Sequence, residues 1–211
     1  MKAVIWDFDG TLFDTYPGML RALMATLKDY GVQKDADQLL VAIKRDSMKK
    51  VFDDVALEYQ LDRSVIQKKY NEYEIVLNAE PKAYPGAATA IRAVQERGDM
   101  NLLWTHRDQK AWRLLKRDGL DDAFAGGTTI DMHFKRKPDP ESINYLLAKF
   151  GLNPQQTLVV GDRRLDALAA IAAGCHSLYL DVDGLHDAPQ AEFTAPDLRS
   201  ALPIIVDFLE D

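Results

Sequence analysis

Two aspartates, Asp7 and Asp9, stand two residues apart directly behind the apolar run Ala3-Val4-Ile5-Trp6. Side chains two apart on a strand point the same way, so the two acids would share one set of ligands. A carboxylate at the end of an apolar strand is costly unless it is paired, hydrogen-bonded or bound to a metal. Further along, Thr105 closes the run "NLLWT", Asp162 closes "TLVVG", and Lys137 precedes a helix start marked by Pro138 and Pro140. Asp166 follows Asp162 by one helical turn. Carboxylates around a hard cation, with a lysine and a hydroxyl, are the set that phosphate chemistry requires. The cation offsets repulsion between carboxylate and phosphate, while Lys137 and Thr105 bind phosphoryl oxygens.

The elements that must bring these residues together have two textures. Residues 16–80 carry only helical periodicity. Pro17 suits a first turn, Met19, Leu20, Leu23, Met24, Leu27 and Tyr30 recur at helical spacing, and Gly31 is a stop signal. Leu39, Leu40 and Ile43 predict a second helix. Val51, Phe52, Val55 and Tyr59 predict a third with Ser47 as its N-cap, and residues 65–77 a fourth. The stretch 79–87, with two prolines and a glycine, reads as a return linker.

Beyond it, helices over 87–97, 108–116, 140–150 and 163–173 alternate with strands at 100–105, 157–161 and 176–180. A weaker strand falls within 123–130, and a last helix starts near 197. Gly98, Gly151 and Gly174 end three of those helices. This alternation predicts an α/β fold: a Rossmann-like parallel sheet with helices on both faces, interrupted by an inserted all-helical domain. The expected division is 1–15 with 81–211 for the sheet domain and 16–80 for the helical one. In such sheets ligands bind beyond the carboxyl ends of the strands, where Asp7, Asp9, Thr105 and Asp162 all fall.

Composition narrows the partners. Hydrophobic content of 47% and charged content of 28% suit a globular chain with a real core. A net charge of -7 lacks the basic footprint of a nucleic-acid binder. The single cysteine, Cys175, has no internal disulfide partner, which fits a reducing compartment. The apolar start is too short for a signal peptide or a membrane span, so the expectation is a cytoplasmic protein without a membrane partner.

Competing readings of the same residues are weaker. A calcium loop beginning at Asp7 would need glycine sixth and glutamate twelfth, where Leu12 and Gly18 stand. A second D-x-D-G, Asp181 to Gly184, lacks the following threonine and reads as a turn. The four histidines show no zinc-ligand spacing. Cys175, Trp6 and Trp104 read as core. Lys137 taken alone is one member of a basic run, and Arg107 has either an anion-binding or a surface reading.

The motifs in order resemble the haloacid dehalogenase-like (HAD) hydrolase superfamily, in its phosphatase branch with a helical cap inserted after the first motif. Asp7-Phe8-Asp9-Gly10-Thr11 is similar to the first motif and Thr105 to the second. Lys137 ahead of Pro138-Asp139-Pro140 is similar to the third, and Gly161-Asp162 with Asp166 to the fourth. The resemblance implies a phosphatase, similar to phosphoglycolate phosphatases, that acts on a small phosphorylated metabolite as a monomer or homodimer.

In that scheme Asp7 is the nucleophile and Asp9 the general acid and base. Thr105 and Lys137 hold the substrate phosphate, and Asp166 orients Lys137 or a metal-bound water. Mg2+ is held by the Asp7 carboxylate, the Asp9 backbone carbonyl and Asp162. Members that attack carbon lack an aspartate at the position of Asp9, so phosphoryl chemistry is favoured. A sugar phosphomutase, similar to beta-phosphoglucomutase, and a non-catalytic phospholigand-binding module are the alternatives. Substrate choice is expected in the cap, where Arg45 stands in place of a glycine common in relatives; Arg45, with Ser47 or Lys49, would contact a polar or anionic substrate group.

Overall fold

The computed structural model describes residues 1–210. Two compact units emerge: Met1–Phe13 with Ala83–Asp211, and Asp14–Lys82.

The first unit is a six-stranded sheet. In chain order its strands are β1 (Ala3–Trp6), β2 (Met100–Trp104), β3 (Phe124–Thr128), β4 (Thr157–Gly161), β5 (His176–Leu180) and β6 (Phe193–Ala195). They lie in the order β3-β2-β1-β4-β5-β6, every pair parallel. β1 is central, with Ala3 paired to Met100 on one side and Thr157 on the other. A central parallel strand is covered on both faces, and all four residues of β1 are buried.

Its side chains divide between two cores. Val4 and Trp6 pack with residues of α5 (Ala87–Glu96), α6 (Lys110–Arg117) and α9 (Leu198–Glu210). Ile5 packs with α7 (Glu141–Phe150) and α8 (Arg164–Ala172). Helices therefore cover both faces, as the alternation of elements predicts. Gly98, Gly151 and Gly174 take positive φ, the conformation that ends a helix at low cost. Several elements differ from the sequence reading. α6 and α7 begin two and one residues late, because the Asp108 and Asp139 side chains accept from the backbone N–H groups of Lys110 and Glu141. The short edge strand β6 was not anticipated.

The second unit contains α1 (Tyr16–Asp29), α2 (Ala36–Arg45), α3 (Met48–Tyr59) and α4 (Arg63–Leu77) around its own core, which includes Leu23, Leu27, Ile43, Phe52 and Ile66. Ser47 Oγ accepts from Lys50 N at 3.1 Å and so caps α3 as predicted. Arg45 is exposed at the end of α2. No helix among the described residues is long and apolar enough to cross a membrane.

Candidate active site

Three strand ends deliver the site. Asp7 follows β1, Thr105 follows β2 and Asp162 follows β4. Gly10, with φ of 79°, turns the chain sharply after Asp9. Asp7, Thr105, Lys137, Asp162 and Asp166 are all buried, a class of residue that is rarely buried without a partner.

Their partners are mostly one another. Lys137 Nζ lies 2.6 Å from Asp7 Oδ1 and 2.8 Å from Asp166 Oδ1, and 3.6 Å above the ring of Trp104. The surface reading of the basic run therefore holds for Lys135 and Arg136, which are exposed, and fails for Lys137. Trp104 is core, as expected, and also supplies the face on which that ammonium rests; its Nε1 donates to Ser142 Oγ at 2.6 Å. Asp166 Oδ2 accepts from Arg163 N at 2.9 Å, tying the same carboxylate to the start of α8. Thr11 Oγ1 donates to Asp162 Oδ1 at 3.3 Å.

Electrostatics separate the two acids that share Lys137. Burial pushes Asp7 up to about 7, against the pull of Lys137 and with further repulsion from Asp166 and Asp162. Burial also pushes on Asp166, but Lys137, Arg163 and their hydrogen bonds outweigh it and hold its carboxyl below the usual range. His106 is driven down to about 3 by burial and by Lys137, Arg163 and Arg136, so its imidazole is neutral at pH 7.

Carboxylate oxygens of Asp7, Asp162 and Asp166 lie within 4.8 Å of one another. Three buried carboxylates so close repel each other, and an oxygen-only donor set of this kind suits a hard divalent cation. The residues present fit such an ion.

Asp9 goes elsewhere. Its Oδ1 accepts from Arg107 Nε at 2.9 Å and lies 2.7 Å from Arg107 Nη2. The Arg107 side chain is only 8% exposed, which removes its surface reading. Thr105 Oγ1 accepts from Arg107 N at 3.0 Å. The predicted residues thus form two groups: Asp7, Asp162 and Asp166 with Lys137, and Asp9 with Arg107 and Thr105. Sequence reasoning gave no role to Thr11, Trp104 as a lysine platform, or Arg163. No spacing signal could have found the first two, because each acts across elements far apart in the chain, whereas Arg163 stands three residues before Asp166, a spacing that a helix start brings into contact. The second D-x-D-G is a turn: Asp181 Oδ1 accepts from Tyr179 Oη at 3.0 Å and Leu185 N at 2.8 Å.

Residues 4–180 match the model of the haloacid dehalogenase-like hydrolase family. The chain belongs to that family. A phosphoglycolate phosphatase of Aliivibrio fischeri is 28% identical to it over 95% of this chain and 92% of the relative. A hydrolase from Streptococcus pneumoniae has a solved structure that is 31% identical, with a TM-score of 0.59 over 84% of this chain and 92% of that one. The beta-phosphoglucomutase of Clostridium difficile shares the fold, with a TM-score of 0.83 over 100% of this chain and 97% of that one, at 17% identity.

Proposed function

We propose that this hydrolase is a magnesium-dependent phosphatase that cleaves a small-metabolite phosphomonoester through an aspartyl-phosphate intermediate. The observation that carries the reading is the buried cluster of Asp7, Asp162 and Asp166 around Lys137 at the carboxyl ends of the central strands. The substrate class follows the curated relatives named phosphoglycolate phosphatase: a small phosphorylated acid.

In the first step an Asp7 carboxylate oxygen attacks phosphorus and the bond to the leaving oxygen breaks. Asp9 gives its proton to that oxygen, and the alcohol departs. In the second step Asp9 takes a proton from water, the water oxygen attacks phosphorus, and the Asp7–phosphorus link breaks to release inorganic phosphate. Lys137 and Thr105 hold the phosphoryl oxygens, and Asp166 fixes Lys137. Asp7, Asp162 and the Asp9 backbone carbonyl would hold Mg2+, which when bound supplies positive charge against the repulsion between Asp7 and the phosphate. Residues 1–15 and 81–211 serve as the catalytic domain and 16–80 as a helical cap.

The test is phosphate release from a panel of phosphomonoesters, 2-phosphoglycolate and sugar phosphates included, with Mg2+, with EDTA, and with Asp7→Asn. Release that needs both the metal and Asp7 supports the reading. Transfer between sugar positions without phosphate release would replace it with a mutase.

A further inference from the structure

We propose that Arg107 is a positioning residue that acts through Asp9, holding the carboxylate that moves the proton in both steps. The proposal rests on the phosphatase reading above and adds to it a residue to which that reading gives no task.

Four observations carry it. Both Arg107 Nε and Nη2 converge on Asp9 Oδ1, at 2.9 and 2.7 Å. The guanidinium is buried, with a side-chain exposure of 8% against 23% for Asp9, so the charged pair is screened from water on the arginine side and open on the carboxylate side. The backbone of Arg107 is fixed on both sides of its Cα: its N–H donates to Thr105 Oγ1 at 3.0 Å and its carbonyl accepts from Ile130 N at 3.1 Å. The Arg107 guanidinium also lies over the ring of Phe8, the residue between the two aspartates, 6.0 Å from its centroid. A side chain held this firmly orients its partner.

A substrate-anion site would demand the opposite. An arginine that greets an incoming carboxylate must present the paired N–H groups of one edge to solvent, whereas here the Nε–Nη2 edge is directed at Asp9. The contribution expected of Arg107 is therefore to turnover and not to substrate affinity.

The leaving group separates these roles. Departure of an alkyl alcohol needs the proton from Asp9, while p-nitrophenolate leaves without one; hydrolysis of the aspartyl-phosphate needs Asp9 as base in either case. Pre-steady-state release of p-nitrophenol and steady-state phosphate release are measured for wild type, Arg107→Ala, Arg107→Lys, Asp9→Asn and the Asp9→Asn/Arg107→Ala double variant. Folding of each is checked by circular dichroism.

For Arg107→Ala we expect kcat on an alkyl phosphate to fall about 10- to 100-fold with KM changed less than about threefold. With p-nitrophenyl phosphate a burst should appear, because the phosphoenzyme forms and then persists. Arg107→Lys should recover part of the loss, and on the Asp9→Asn background the alanine change should cost nothing further.

A rise in KM at unchanged kcat would overturn the proposal in favour of substrate binding. An undiminished loss on the Asp9→Asn background would overturn it in favour of a role independent of Asp9. A wild type that turns over no ester overturns the phosphatase reading and this role with it, whereas an active wild type matched by Arg107→Ala overturns only the latter.

Discussion

Lys137 and Asp7 meet at 2.6 Å with side-chain exposures of 1% and 4%, although 130 residues separate them. The ammonium is at once the partner of Asp166, so one cation serves two buried anions. Removing it strips Asp7 of its nearest cation and leaves Asp166 to Arg163 alone. Lys137→Ala should therefore destabilise the metal-free protein by about 3–5 kcal/mol at pH 8. The loss should shrink toward pH 5, where Asp7 takes up a proton. Urea unfolding at the two pH values measures both effects.

Asp7 itself makes the stability of the metal-free protein depend on pH. Its folded-state value, about 7, lies above the ordinary 3.8. Between those values the folded chain keeps a proton that the unfolded chain releases, so this contribution is full below about pH 4 and lost as pH rises to about 7. Asp7→Asn should gain stability relative to wild type over that window and level off above it. Parallel denaturation series at pH 4, 5.5, 7 and 8 follow the difference; a constant offset would contradict it.

Gly161 is the last residue of β4, and a Cβ there would stand 2.4 Å from Asp166 Cβ and 2.6 Å from its Cγ. Gly161→Ala must push the start of α8 and its carboxylate away, at about 1–3 kcal/mol. Gly127→Ala is the matched control, since its Cβ would meet the Leu103 carbonyl at 2.5 Å between β3 and β2. Both should lower the melting temperature. Only the first should weaken divalent-cation affinity, read by isothermal titration calorimetry.

Burial pushes the Cys175 thiol up to about 12. Thiolate is the reactive form, so at pH 8 the native protein should react with Ellman's reagent at least about 100-fold more slowly than in denaturant. In guanidinium one equivalent should react per chain. Fast native reaction would mean that this thiol is not packed as described.

Local signals carried most of the fold. Helix ends at Gly31, Gly98, Gly151 and Gly174 follow from one residue's tolerance of positive φ, and all four adopt it. The Ser47 cap follows from a side chain three residues from its donor. β6 was not legible because it has three residues, one of them exposed, and thus no period to detect. β3, with two adjacent glycines, gave only a weak signal for the same kind of reason.

The site was legible as a set of residues but not as a set of pairs. Asp7, Thr105, Asp162 and Asp166 could be placed because each closes a strand or follows one by a helical turn. That Lys137 is buried while Lys135 and Arg136 are exposed depends on Trp104 and Asp166, which no local pattern connects to it. Arg107 and Asp9 lie 98 residues apart, and only the tertiary fold joins them.

The point at which the helical unit enters and leaves the sheet unit has a consequence for how the chain reaches its fold. Phe13 bridges Ala83, Asp14 N donates to the Lys82 carbonyl at 2.9 Å, and Tyr84 N to that of Leu12 at 2.9 Å. Pairing Ala3 with Met100 would otherwise require closing a long, slack segment. If the helices, with their own core, assemble first, this clasp at their base removes most of that slack and lowers the closure entropy by about 1 kcal/mol. The interruption would then act as a nucleation aid for the central strand, so that lengthening the segment inside the helical unit should leave the folding rate nearly unchanged while loosening the clasp should slow it.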